Sequence, residues 1–154
     1  MKWIPQDIDV YLDSKEFVDT AVIGLLPITL AQEMRQASVM AEFIHLLTYQ
    51  VERQFRGRLL LLPSFTYLTS TNEENLVTDL ANWENEIRSA GFKHIFYITS
   101  DSKWESREEN LGGTLIWLPT LPIGSMKETE KLMIIEDQVK QLQTVFIRKW
   151  RERE

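Results

Sequence analysis

The chain contains no cysteine, which excludes disulfides, thiolate zinc sites, iron–sulfur ligation and cysteine nucleophiles. Histidine is almost as scarce. His45 and His94 are the two present and lie far apart, so a histidine-rich metal site is ruled out. The glycine-rich signatures of phosphate and acyl chemistry are missing: no Gly-x-Gly-x-x-Gly, no Gly-x-x-x-x-Gly-Lys-Ser/Thr and no Gly-x-Ser-x-Gly occurs. Leu25-Leu-Pro-Ile-Thr29 stands where a dinucleotide loop would follow the first strand, and its proline removes an amide hydrogen that a phosphate would use. No metal or cofactor is expected. No apolar run approaches the ~20 residues of a membrane span, and the opening Met1-Lys-Trp-Ile-Pro-Gln-Asp7 lacks a signal-peptide stretch. These features lead to an expectation of a cytoplasmic protein.

Positive charge is also short. Seventeen Lys and Arg face 23 Asp and Glu, for a formal net charge of −6. An acidic balance of this kind speaks against nucleic acid as a partner. The one basic cluster, Arg148-Lys149…Arg151…Arg153, is interrupted by Glu152 and Glu154 and reads first as a solvated helix end.

What the chain does have is a repeated unit, an apolar run followed by a break and an amphipathic helix. Thr20-Ala-Val-Ile-Gly-Leu-Leu-Pro-Ile28 is the first such run. Arg58-Leu-Leu-Leu-Leu-Pro63 and Thr114-Leu-Ile-Trp-Leu-Pro119 end on the same Leu-Pro step, and His94-Ile-Phe-Tyr-Ile-Thr-Ser-Asp101 ends on a polar turn. Runs apolar at nearly every position are strands buried on both faces. Between them, Ala37, Met40, Ile44, Leu47, Val51 and Phe55 recur at helical spacing, as do Leu76, Leu80, Trp83 and Ile87. Leu132, Ile135, Val139, Leu142 and Phe146 trace a long last helix over about 126–152. A short helix with Pro5 in its first turn precedes the first strand. Gly57 and Gly91 stand where helices end. Thr29, Thr71, Ser102 and Ser125 each open a Ser/Thr-x-x-Glu/Gln sequence, which predicts four helix N-caps.

With 44% apolar residues in 154, one α/β domain over 1–154 is expected to bury roughly 70% of its unfolded-chain surface. The predicted architecture is a three-layer sandwich: a mainly parallel sheet of about four strands with helices on both faces, Rossmann- or flavodoxin-like.

Candidate functional residues follow from the general rule that ligands sit beyond the carboxyl ends of parallel strands. Thr29, Ser64, Asp101 and Trp104 are the polar and aromatic side chains predicted there, with Asp101 the best candidate acid. An aspartate bonding its own backbone in a turn is the plainer role for it. His45, next to the buried stripe of its helix, is expected as a half-buried, hydrogen-bonded imidazole. At the other end of the chain, Ile147 widens the apolar stripe of the last helix, and Ile147 and Trp150, rimmed by Arg148 and Arg151, form a candidate contact with a partner protein or a second copy.

The residues Trp3…Asp7…Lys15-Glu-Phe-Val-Asp-Thr-Ala-Val-Ile-Gly-Leu-Leu-Pro27 and Glu52-Arg-Gln-Phe-Arg-Gly-Arg-Leu-Leu-Leu-Leu-Pro-Ser-Phe-Thr-Tyr-Leu68 resemble the YpiF-like family of spore-forming Gram-positive bacteria. That family is a domain of unknown function, so the resemblance implies no catalytic or binding residue. The reading at this point is a non-enzymatic interaction or regulatory module. The alternative is a small-molecule-binding protein or enzyme with its site at the strand ends.

Overall fold

The computed structural model describes residues 1–152; Arg153 and Glu154, the end of the basic run, lie outside the described residues. In chain order the elements are α1 (Pro5–Asp13), β1 (Thr20–Ile28), α2 (Met34–Gln54), β2 (Leu59–Leu61), β3 (Phe65–Leu68), α3 (Glu73–Ser89), β4 (His94–Thr99), β5 (Thr114–Trp117) and α4 (Glu128–Arg151). Two 3₁₀ segments, Lys15–Phe17 and Ser102–Asn110, complete the set.

The protein is a three-layer α/β sandwich. Every strand pairing is parallel, β1 and β4 are central, and β5 closes one edge. β2 and β3 both pair with β1 on the opposite edge and are two halves of one broken strand. Side chains alternate between the layers as pleating requires. Ala21, Ile23, Leu25, Ile95 and Tyr97 meet Leu76, Leu80 and Trp104 on one face. Val22, Leu26, Phe96 and Ile98 meet α2 and α4 on the other, through Phe43, Leu47, Ile135 and Phe146. Among the described residues, no helix is long and apolar enough to cross a membrane.

The break in the edge strand has a specific cause. Val22 pairs with Leu61, but Leu25 pairs with Phe65, so the edge carries one residue more than β1 over the same stretch. That is a β-bulge, at Leu62-Pro63-Ser64. It pushes Ser64 onto β1, where a Cβ built on Gly24 would lie 2.7 Å from Ser64 Oγ and 3.1 Å from Ile44 Cγ2. Glycine in mid-strand therefore answers a close approach, by the Ser64 side chain rather than by backbone.

Pro27 is tolerated for a related reason. The carbonyls of Val22 and Ile28 accept from Leu62 and Thr69, so even-numbered positions of β1 face the β2–β3 edge. Pro27 faces the other way, past the last β1–β4 pair at Gly24 and Ile98, where no ladder bond is lost.

The predicted caps are corrected. Asn72, not Thr71, caps α3, accepting from Asn75 N–H at 2.9 Å. Asp101, not Ser102, opens the Ser102–Asn110 segment, accepting from Lys103 N–H at 3.1 Å. Thr29 Oγ1 accepts from Ala31 N–H at 3.2 Å in a turn, and α2 begins only at Met34 without a side-chain cap. Ser125 likewise precedes an irregular approach to α4, whose N-cap position is Lys127. In both places an irregular segment, 29–33 and 118–127, separates strand from helix, which displaces the helix start from the nearest hydroxyl. The glycines at the helix ends do sit in left-handed backbone, φ +105° at Gly57 and +102° at Gly91. His45 is exposed and lies against Tyr49, with ring centroids 4.2 Å apart.

Candidate functional site

β1 and β4 end side by side at the point where the strand order reverses, which is where a doubly wound sheet opens a crevice. Thr99 closes β4 by donating its hydroxyl to the Leu25 carbonyl at 2.8 Å, and Asp101 N–H donates back to Thr99 Oγ1 at 3.0 Å. This places Asp101 on the α3 side of the sheet. Tyr67, which shares that face with Phe65 because β3 alternates, reaches across and donates to Asp101 Oδ2 at 2.5 Å. Trp104 Nε1 donates to the same Tyr67 hydroxyl at 2.7 Å. The Arg107 guanidinium lies over the Trp104 ring at 5.2 Å and pairs with Glu73 at 2.8 Å, tying the 3₁₀ segment to the start of α3. Burial, and then the hydrogen bond and negative charge of Asp101, push the Tyr67 phenol well above its ordinary range.

Of the four predicted ligand residues, Asp101 and Trp104 are thus brought together, joined by a tyrosine that the sequence reading did not single out. Trp104 is completely buried in the core, and Asp101 is half-buried. Thr29 stays in its own turn after β1. Ser64 sits on the bulge against Gly24 and Ile44, on the α2 side of the sheet. Two polar atoms near the strand ends lack a partner among the described residues, Ser100 Oγ and Arg107 Nε. No group of three or more His, Asp or Glu side chains converges as metal ligands would, again among the described residues.

Two buried carboxylates serve the scaffold. Glu84 on α3 accepts from the Tyr97 hydroxyl at 2.7 Å and from Gly112 and Gly113 N–H at 3.1 and 2.7 Å, which pins the turn before β5. Glu52 on α2 meets the Met1 α-ammonium at 2.8 Å, Lys2 Nζ at 2.9 Å and Arg56 Nε at 3.1 Å. Burial alone would raise the Glu52 carboxyl. The hydrogen bonds from Arg56, the α-ammonium and Lys2, with the ammonium charge, outweigh it and hold the group at about 2.

The predicted partner residues lie at the opposite end of the sheet. Trp150 turns inward: Nε1 donates to Thr20 Oγ1 at 2.9 Å, the ring meets Phe55 and Phe146 edge-on, and Arg58 covers its face at 4.0 Å. Ile147 stays 38% exposed, and Arg148 and Arg151 are exposed beside it. A second apolar surface, not predicted, flanks the bulge: Trp3, 58% exposed, lines clefts of about 420 and 390 Å³ together with Leu62 and Pro63.

A family model described as "Protein of unknown function (DUF2487)" matches residues 9–150. The chain is 31% identical over 150 residues to "Uncharacterized protein YpiF" of Bacillus subtilis (strain 168), an alignment spanning 97% of this chain and 98% of that protein. No solved structure matches it. Across nearly its whole length, the chain belongs to the DUF2487 family, a family of unknown function with YpiF-like sequence.

Proposed function

We propose that the protein is a non-enzymatic, cytoplasmic interaction or regulatory module that engages a partner protein, or a second copy, through the end of α4. One observation supports this reading. With Trp150 turned into the domain, the outward side of the last turns still presents Ile147, 38% exposed, beside Arg148 and Arg151. Neither arginine meets a carboxylate within salt-bridge distance among the described residues. An aliphatic side chain rimmed by arginines is a surface suited to contact. The test is affinity purification with wild type and Ile147→Asp, paired with light scattering of both. A partner or dimer lost from the variant supports the reading, and identical behaviour of the two proteins refutes it.

The small-molecule reading keeps one supporting observation, the Ser100 hydroxyl, 7% exposed and unpartnered at the end of β4. A thermal-shift screen against metabolites tests it, because a ligand at 100 times its Kd stabilises by ~2.7 kcal/mol. A ligand held at Asp101 loses that shift in Asp101→Asn.

A further inference from the structure

Helices α2, α3 and α4 each return toward, or end at, the amino ends of the parallel strands, so their C-termini gather at one pole of the molecule. Their last turns carry Arg53, Arg88, Arg148, Lys149 and Arg151, while the first turns of α3 and α4 carry Glu73, Glu74, Glu128 and Glu130. Each charge complements its own helix dipole, but parallel topology adds them together. A chain of net charge −6 is thereby divided into an acidic pole and a basic one.

At the basic pole lies a cleft of about 300 Å³ lined by Arg88, Lys93, His94, Thr114 and Lys149. The helix dipole does not account for all of it. Lys93 and His94 stand at the start of β4, not on a helix end. Arg88 does not cap its own helix: its guanidinium donates to the Lys93 carbonyl at 3.3 Å and the Gly112 carbonyl at 3.0 Å. The backbone thus holds that cation across the cleft with further N–H groups unused. Glu152, 3.5 Å from Lys149, lines the cleft, and Glu84 lies behind its Gly112–Gly113 wall, but among the described residues Arg88 and Lys93 form no salt bridge.

We infer that this cleft docks an acidic segment of a partner protein, a short run of aspartate or glutamate side chains. The inference rests on the interaction-module reading above and names the chemistry of the partner. Charge complementarity carries it. A nucleic acid fits less well: a long polyanion would also meet the acidic remainder of the surface, and Arg58 already covers the face of Trp150.

Fluorescence polarisation of the full chain with a labelled deca-glutamate peptide is the test, using deca-glutamine and a decamer of single-stranded DNA as alternatives. Deca-glutamate is expected to bind, deca-glutamine is not, and the binding weakens as salt shortens the Debye length from ~10 Å toward ~3 Å. Arg88→Gln with Lys93→Gln reduces affinity about tenfold, the loss of two exposed ion pairs. Arg35→Gln, exposed at the far pole, leaves it unchanged. No binding by wild type, equal binding by the double variant, tighter binding of the DNA, or self-association at low salt each overturns the inference. A partner lost from Ile147→Asp yet retained by the Arg88→Gln, Lys93→Gln protein also overturns it, while leaving the interaction reading intact.

Discussion

Trp150 Nε1 donates to Thr20 Oγ1 at 2.9 Å, joining the last turn of α4 to the first residue of β1 across 130 residues of sequence. The bond closes an aromatic group in which the Phe146 ring stacks on Phe96 at 4.1 Å and on Phe55 at 5.4 Å. Trp150→Ala is expected to destabilise the domain by about 2–4 kcal/mol, since it opens a cavity beside Phe55 and Phe146 and removes the donor to Thr20 Oγ1. Trp150→Phe keeps most of the packing and loses about 1 kcal/mol. Thermal melts of the two variants check the order.

Glu52 gives the protein an acid-sensitive joint. Its carboxyl titrates lower in the folded chain than in the unfolded one, so its contribution to stability is full above the ordinary carboxylate value. That contribution is lost as pH falls toward about 2. Glu52→Gln is expected to cost roughly 3 kcal/mol at neutral pH, because three cationic partners lose their counter-charge. Melting temperature followed from pH 6 down should fall less steeply in the variant than in wild type. Parallel curves would show that another group governs acid unfolding.

Tyr67→Phe removes one oxygen that serves two partners, leaving Trp104 Nε1 buried without an acceptor. The expected cost is about 1–3 kcal/mol. Near-ultraviolet circular dichroism should change with it, as Trp104 is the tryptophan whose surroundings are altered.

Gly24→Ala forces a methyl group against Ser64 Oγ and Ile44, at an expected cost of about 1–3 kcal/mol. Ser64→Ala should restore part of that loss, and a double-mutant cycle measures the coupling. Additive effects would mean that Ile44 alone opposes the methyl group.

The sequence by itself determined the layers. Apolar runs at 20–28, 59–62, 94–99 and 114–117, separated by helical stripes, leave a parallel sheet covered on both faces as the consistent arrangement, because periodicity is a local property of the chain. It also placed Asp101 at a turn and glycines at the ends of α2 and α3. Tertiary structure alone decided the rest. The bulge that makes Gly24 necessary depends on the register of another strand. The N-caps fall one residue earlier or later than the hydroxyls, at Asn72 and Asp101, because the backbone turns their side-chain oxygens onto Asn75 and Lys103 N–H. Tyr67 joined Asp101 and Trp104 across 34 and 37 residues, a meeting that no spacing encodes. The basic pole is invisible in a chain of net negative charge, because it arises only when parallel strands bring separate helix ends to one side.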